Sequence, residues 1–308
     1  MQHRAAIHSL SVVAIAATTV GSSVAFADRG SIPFRPDVDI FEPKQRALIA
    51  WNGVEEILIL STDMRASAPT KVLEVLPLPA EPKVTKGDIE IFSRAVNIIN
   101  SHRRAKNRGA VRKRNGGKLA APAGRVTFHE KIGAHDLSVI HVESADGFVD
   151  WVNTFLKRQG VEAPEIPAPL RRAVDEYLAD GFVWFVFDVV ELGTSPNTQE
   201  AIQYRFESDG LYYPLRISRT EKGDTDIELL VLTPKLLSDF PGLPISRLNL
   251  KHKPVILSSA ELRSLSKEVD LLLGSKPQMK LRIWKIHGRL DSFSADLIAR
   301  PGRPHRRD

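Results

Sequence analysis

One run of nine residues constrains the fold of this chain more than any other feature. Residues 182–190 read FVWFVFDVV and are apolar at all but one position. Because successive side chains of a strand point to opposite faces, such a run carries apolar surface on both faces. We therefore expect a central strand that is covered by other layers on both sides.

Patterns of alternating and continuous apolar residues predict further strands along the chain. They are residues 45–51, 54–62, 71–78, 125–132, 135–143, 201–207, 211–218, 225–232, a pair within 245–257, and 280–290. The dipeptide Asn52-Gly53 separates the first two and predicts a type I′ hairpin turn. The three strands within residues 201–232 are expected to form a meander of neighbours.

Apolar positions at helical spacing predict the helices. One starts near residue 87, and the others cover residues 148–156, 170–178, 234–240, 258–273 and 292–300. Ser258 and Glu261 have the spacing of a capping box at the start of the fifth. Strands mixed with helices in this way predict an α+β fold with mainly antiparallel sheets and several packed amphipathic helices.

The amino-terminal residues have the pattern of an export signal. Residues 10–20 are apolar and uncharged, and Ala25-Phe26-Ala27 has the small-x-small pattern that signal peptidases read. We expect cleavage after Ala27, export by the general secretory route, and a periplasmic or extracellular mature chain without a transmembrane helix. An uncleaved anchor is the alternative, but it needs about 20 apolar residues in a row.

Charge is concentrated in two segments. Residues 101–118 contain eight basic residues and no acidic one, and residues 300–308 contain four arginines and one aspartate. The eight are Arg103, Arg104, Lys106, Arg108, Arg112, Lys113, Arg114 and Lys118. Such a segment buries too little apolar surface to fold alone, so we expect a disordered loop.

These boundaries divide the chain into a signal peptide (1–27), amino-terminal strands and first helix (28–100), a basic loop (101–123), a main α+β body (124–299) and a basic tail (300–308). Residues 28–100 and 124–299 are compatible with one domain. The chain contains no cysteine. Disulfides, thiolate zinc sites and thiol nucleophiles are therefore excluded.

The basic segments suggest a partner through charge alone. Closely spaced cations attract polyanions, which in the cell envelope are anionic lipid or acidic polysaccharide. Specific nucleic-acid recognition is not expected, because no aromatic residue interleaves the basic ones for base stacking. A solvated charged run with no partner is the alternative.

Several strings resemble an uncharacterised exported protein family of bacteria and archaea, known as a domain of unknown function. They are KVLEVLPL (71–78), EPKV (81–84), FHEKIGAHD (128–136), GFVDWV (147–152), DGFVWFVFDVVELG (180–193), YYPLRI (212–217), and residues 202–206 and 280–284. The resemblance covers about residues 45–300 but not the basic segment. It implies a secreted, envelope-associated α+β protein and no catalytic residues, because the family has none assigned.

Three histidines form a candidate metal site. His129, His135 and His141 are six residues apart, with Glu130 and Asp136 beside two of them. Imidazoles and carboxylates on adjacent strands suit a divalent transition metal, with a carboxylate as the base of a hydrolytic enzyme. Alternatively, they are polar residues on a solvated sheet face or core histidines bonded to backbone.

Asp188 is the charged residue within the apolar run. A carboxylate there must be paired or have a raised pKa. It is either a general acid or base, or the structural partner of Arg205 or Arg216, and we favour the structural pairing.

Motifs of several enzyme classes are missing from the sequence. It contains no Gly-x-Ser-x-Gly elbow, no phosphate-binding glycine loop and no dinucleotide fingerprint. We therefore expect an exported, envelope-associated binding or scaffold module without enzymatic activity or cofactor. The alternative is the metal-dependent hydrolytic enzyme.

Overall fold

The computed structural model describes residues 29–35, 37–38, 40–107, 129–132, 135–195, 197–198, 200–221, 224–250, 253–274 and 279–302. The helices are α1 (Glu90–Asn107), α2 (Ala145–Arg158), α3 (Ala168–Ala179), α4 (Ser259–Leu265) and α5 (Lys267–Leu273). The strands up to α3 are β1 (Gly30–Pro33), β2 (Ile40–Trp51), β3 (Glu55–Ala66), β4 (Thr70–Leu78), β5 (Lys83–Lys86), β6 (His129–Ile132) and β7 (His135–His141). The later strands are β8 (Trp184–Leu192), β9 (Asn197–Thr198), β10 (Ile202–Glu207), β11 (Leu211–Tyr213), β12 (Asp224–Thr233), β13 (Leu248–Leu250), β14 (Val255–Leu257), β15 (Met279–Arg289) and β16 (Leu297–Ala299).

Two large sheets organise these elements. One has five strands in the order β1-β4-β8-β7-β6. The other has the order β13-β15-β12-β2-β3-β10-β5, with β14 also paired to β15 and β9 to β3. Among the described strand pairs, β2 with β12 is parallel and the rest are antiparallel. The predicted α+β class is confirmed.

The two sheets pack face to face around one apolar cluster. Leu58 and Tyr204 contribute to it from the nine-stranded sheet, and Leu76 and Val186 from the five-stranded sheet. Strands from before and after the basic segment therefore share this core.

Helices cover the outer face of each sheet. Phe185 of β8 packs in a cluster with Phe148 of α2 and Tyr177 of α3. Ile57 of β3 packs with Ile91 of α1 in a second cluster, to which α4 and α5 also contribute side chains. The order is helices, sheet, sheet, helices, so β8 is covered on both faces as its apolar run predicts.

The predicted β2–β3 hairpin forms, but its turn is shifted by one residue. Trp51 pairs with Glu56, so the loop consists of Gly53 and Val54 rather than Asn52 and Gly53. Asn52 stands before the loop, and its Oδ1 accepts hydrogen bonds from the backbone nitrogens of Val54 and Glu55 at 2.9 and 2.8 Å. This Asx-type bonding, with φ of 113° at Gly53, determines the turn.

Helix α1 continues past the predicted start of the basic loop. It ends at Asn107, so residues 101–107 are helical rather than disordered. Arginine, lysine and alanine are good helix formers, and positive charge is favourable near a helix carboxyl end. The rest of the predicted loop and residues 1–28, with the predicted signal, lie outside the described residues.

Several predicted elements in the carboxyl-terminal third are wrong. Residues 234–240 and 292–300 do not form helices; the second range contains β16, which pairs with β11. The predicted meander is also wrong, because β10 lies between β3 and β5 and β12 between β15 and β2. These strands find partners distant in sequence, and local patterns carry no information about such partners.

The predicted capping box is present, but the helix that it opens is broken in two. Ser258 Oγ accepts from the backbone nitrogen of Glu261, and the carboxylate accepts from the backbone nitrogen of Ser258. Ser266, in extended conformation, separates α4 from α5 and caps the second helix at Val269. No helix in the described part of the chain is long and apolar enough to span a bilayer.

Candidate functional site

Three neighbouring strands place ionisable side chains on one face of the five-stranded sheet. Glu74 of β4 stands directly opposite Asp188 of β8. His135 of β7 stands opposite Val190, which shares a strand face with Asp188. This face packs against the other sheet, so the three side chains enter the core between the sheets.

Arg29 supplies the positive charge of this buried charge cluster. Its Nη1 makes an ion pair with Glu74 and lies 3.6 Å from Asp188 Oδ2. Its Nη2 lies 3.3 Å from the Tyr204 hydroxyl, on the nine-stranded sheet. The buried charge cluster (Arg29, Glu74, His135, Asp188) therefore joins both sheets.

His135 of β7 and Asp188 of β8 are in direct side-chain contact. His135 Nδ1 lies 2.5 Å from Asp188 Oδ2, and a carboxylate acceptor requires that Nδ1 carry the proton. His135 Nε2 and Asp188 Oδ1 have no hydrogen-bond partner among the described residues. An oriented imidazole of this kind is the arrangement of a general base.

Burial opposes that chemistry. Each of the two residues is 2% exposed, and the orphan atoms are covered. A general base must come within hydrogen-bond reach of the substrate proton. The arrangement holds strands together and offers no open face to a substrate.

The prediction that Asp188 is buried and paired is correct, but the predicted partners are wrong. Arg205 Nε pairs with Glu55 at 2.6 Å within the other sheet. Arg216 Nη1 pairs with Asp180 at 2.5 Å, because Arg216 lies in a 3₁₀ turn against α3 rather than on a neighbouring strand. Arg29 was missed because a single arginine beside the predicted cleavage site has no local pattern to mark it.

The three candidate metal-binding histidines are not brought together. Backbone register places His129 opposite Ser138. Residues alternate between faces along β7, so Ser138 belongs to the face opposite His135 and His141. His141 is exposed at the end of the strand, its ring 4.9 Å from that of Trp184.

The two candidate acidic residues, Glu130 and Asp136, also lie on opposite faces of the sheet. Glu130 stands opposite Leu137, on the face of His135, whereas Asp136 stands opposite Lys131 on the other face. Among the described residues, no three His, Asp or Glu side chains are arranged to hold a metal ion. The side chains of His129 and Glu130 are outside that description.

The basic segment begins on the last turns of α1. Arg103 and Arg104 are exposed, and neither makes an ion pair or hydrogen bond with another described residue. The backbone of Lys106 belongs to the same helix. The other candidate anion-binding residues lie outside the described part of the chain: Arg108, Arg112, Lys113, Arg114 and Lys118.

The first arginine of the predicted tail belongs to the folded body. Arg300 is partly buried, and its Nε donates to the backbone oxygen of Asp209 at 3.2 Å. Its backbone also bridges to Asp239. Residues 303–308 lie outside the described residues.

The sequence matches the model of one protein family over more than half of its length. Residues 25–238 match the model of a family described as an uncharacterized protein conserved in bacteria (DUF2330). The chain belongs to DUF2330. The resemblance to an uncharacterised bacterial family is thereby confirmed.

The DUF2330 match contains the whole buried charge cluster and α1, but ends before α4, α5 and β13 to β16. No curated protein matches the chain. Solved structures that match are baculovirus P35, with a TM-score of 0.40 and 9% identity over 88% of this chain and 100% of that chain, and the caspase-8/P35 complex, with 0.39 and 7% over 84% and 96%.

Proposed function

We propose that this DUF2330 protein is an exported module that binds an anionic surface of the cell envelope, lipid or polysaccharide, through the carboxyl end of α1 and the basic sequence that follows it. The observation that carries the proposal is the state of Arg103 and Arg104. Both are exposed on an ordered helix and lack an acidic partner among the described residues. Their charge is therefore available to a second molecule.

The basic end of α1 is fastened to the body, so that a bound surface would hold the whole protein. Phe92, Ala95 and Ile99 pack into the cluster beneath the helix. His102 Nε2 lies 2.7 Å from Glu261 Oε1, directly before the exposed arginines. Arg94 Nε donates to the backbone oxygen of Leu265 at 3.0 Å.

The sequence supports the same proposal with further charge. Residues 103–118 contain eight basic residues and no acidic one. Near an anionic membrane each lysine or arginine contributes about 1 kcal/mol, and the attraction weakens with salt because counterions screen it. Export, which the amino-terminal signal predicts, delivers the protein to the cell envelope where these anionic partners lie.

The buried charge cluster gives no support to the hydrolytic alternative. His135 and Asp188 are closed off between the sheets, and the register separates His129 from His135. Neither arrangement gives a water molecule and a substrate a shared approach to a base.

Vesicle binding tests the proposal. The protein is sedimented with phosphatidylcholine vesicles, with vesicles that also contain phosphatidylglycerol, and with an immobilised acidic polysaccharide, at low and high salt. The variant carries Arg103→Gln, Arg104→Gln and Lys106→Gln. The control carries Lys157→Gln, Arg158→Gln and Arg172→Gln, which remove three exposed charges from α2 and α3.

We expect salt-sensitive binding to at least one anionic partner and none to phosphatidylcholine alone. At about 1 kcal/mol per residue, the α1 variant loses about 100-fold in affinity and the control much less. Equal losses in both variants, or binding that persists unchanged in the α1 variant, contradict the proposal.

Amino-terminal sequencing of the exported protein tests cleavage before Asp28, and an intact Met1 on a cytosolic product contradicts export.

A further inference from the structure

The turn of the β2–β3 hairpin carries the dipeptide Asn52-Gly53 at the protein surface. Gly53 is exposed and lines two open cavities of about 240 and 550 Å³, so solvent reaches its peptide bond. Its φ of 113° favours glycine, and a Cβ there would meet nothing within 4 Å. The backbone nitrogen of Gly53 makes no hydrogen bond with another described residue, so no such bond has to break before this nitrogen reacts.

Three hydrogen bonds hold the side-chain amide of Asn52 over this turn. Its Oδ1 accepts from the backbone nitrogens of Val54 and Glu55 at 2.9 and 2.8 Å. Its Nδ2 donates to the backbone oxygen of Leu272, at the end of α5, at 3.2 Å. Two N–H donors at one carbonyl oxygen stabilise negative charge that develops there, as the donors of an oxyanion hole do. The amide carbon of Asn52 is therefore activated toward a nucleophile, and the backbone nitrogen of Gly53 adjoins it along the chain.

We propose that Asn52 is a site of spontaneous deamidation in the folded protein. The Gly53 nitrogen gives its proton to solvent base and forms a bond with Asn52 Cγ, while the carbonyl electron pair moves onto Oδ1. The oxyanion then collapses, the Cγ–Nδ2 bond breaks, and Nδ2 takes a proton from solvent and leaves as ammonia. Water opens the resulting succinimide ring at either carbonyl, which gives aspartate or isoaspartate at position 52. The net change is uptake of water and release of ammonia.

Deamidation separates the hairpin from α5. The new carboxylate has no hydrogen to donate to the backbone oxygen of Leu272, and the two oxygens repel each other. Its charge also enters the turn that contains the Glu55 carboxylate, and like charges close together on paired strands are destabilising. The modified protein is therefore less stable at this hairpin. The modification does not involve the basic end of α1 and does not depend on the envelope-binding proposal.

Incubation of the folded protein in mildly alkaline buffer tests the site, because base removes the Gly53 proton. Peptide mass spectrometry follows the loss of the amide at each asparagine, and an isoaspartyl methyltransferase assay detects isoaspartate. Protein unfolded in urea gives the rate of the same sequence without the fold, and Asn153 on α2, which precedes Thr154, is the internal control. Asn52→Gln is the matched variant, because a glutamine amide must close a larger ring and reacts more slowly. Asn52→Asp represents the aspartate product.

We expect Asn52 to lose its amide in the folded protein at a rate at most severalfold below that in urea, while Asn153 keeps its amide. The melting temperature of the incubated wild-type protein falls toward that of Asn52→Asp, and that of incubated Asn52→Gln stays unchanged. The proposal is overturned if folded Asn52 keeps its amide for as long as the unfolded protein needs to convert. Equal conversion of Asn52 and Asn153 in the folded protein also overturns it. Conversion without a fall in melting temperature overturns the separation of the hairpin from α5.

Discussion

His135 Nδ1 lies 2.5 Å from Oδ2 of Asp188, and both side chains are 2% exposed between two β-sheets. The contact joins β7 to β8, and the ion pair of Arg29 with Glu74 continues it to β4. A pair resembling the histidine and aspartate of a catalytic triad is thus part of a closed network. Its geometry predicts an effect on stability rather than on turnover.

Asp188→Ala should destabilise the protein by about 3–5 kcal/mol, because the substitution removes a charge from a buried ionic network. His135 loses its acceptor and Arg29 one of two carboxylates. Urea unfolding measures the change. Asp175→Ala, at an exposed site on α3, is the control and should change stability by less than about 0.5 kcal/mol. Equal effects at the two sites would show that the cluster contributes nothing specific.

Glu56→Gln should stabilise the protein increasingly, relative to wild type, as the pH rises. Burial raises the pKa of the Glu56 carboxyl well above its usual 4.5, although the backbone nitrogen of Tyr212 donates to it. Between the usual pKa of 4.5 in the unfolded chain and the raised pKa in the folded protein, the folded protein retains a proton that the unfolded chain releases. The stability of the wild-type protein therefore falls as the pH rises through this range. Glutamine removes this term, which amounts to at most about 1.4 kcal/mol per pH unit.

Urea unfolding of both proteins between about pH 5 and pH 7 checks the Glu56 prediction. Glu162→Gln, at an exposed position, is the matched loss of one carboxyl group. A difference between Glu56→Gln and wild type that stays constant with pH contradicts the prediction.

Tyr177→Phe should cost about 1–3 kcal/mol, because it leaves buried partners unsatisfied. The Tyr177 hydroxyl donates to Asp296 Oδ1 at 2.8 Å and accepts from the backbone nitrogen of Ile217 at 3.1 Å. Burial, with the nearby Asp296 charge, raises the pKa of Tyr177 well above 10, so it remains a donor. A double-mutant cycle with Asp296→Asn measures the coupling by denaturant unfolding. If the effects of the two substitutions on stability simply add in that cycle, the hydrogen bond between Tyr177 and Asp296 is not the cause of the loss.

Gly242→Ala should destabilise the carboxyl-terminal region by about 1–3 kcal/mol through overpacking. A Cβ at Gly242 would lie 2.1 Å from the backbone oxygen of Asp296, and backbone has little freedom to move away. Gly193→Ala is the control, since a Cβ there meets nothing within 4 Å. Thermal unfolding compares the two, and similar melting temperatures would contradict the expectation.

Local patterns predicted much of the fold. The apolar run around Asp188 predicted a strand covered on both faces, and β8 occupies that position. The apolar stripes predicted α2 and α3, and the spacing of Ser258 and Glu261 predicted a helix start. Each prediction needed only residues adjacent in sequence, where side-chain periodicity or capping chemistry acts.

The candidate site was predicted only in part, for a physical reason. Burial of Asp188 follows from its apolar neighbours, but its partner follows from strand order, which places His135 beside it across 53 residues. Arg29 reaches Glu74 across 45 residues by the same route. Evenly spaced histidines indicated a metal site, but alternation between strand faces separates His129 from His135.

The amino-acid sequence by itself determined the α+β class, the covered central strand, the lack of disulfides and the concentration of positive charge after α1. Only the tertiary structure decided which charged side chains are paired in the interior and which remain exposed on the surface. Arg29 and Arg282 are both buried, yet one meets two carboxylates and the other none among the described residues. The reason is that burial depends on nearby residues, whereas the pairing of charges depends on contacts between strands far apart in the chain.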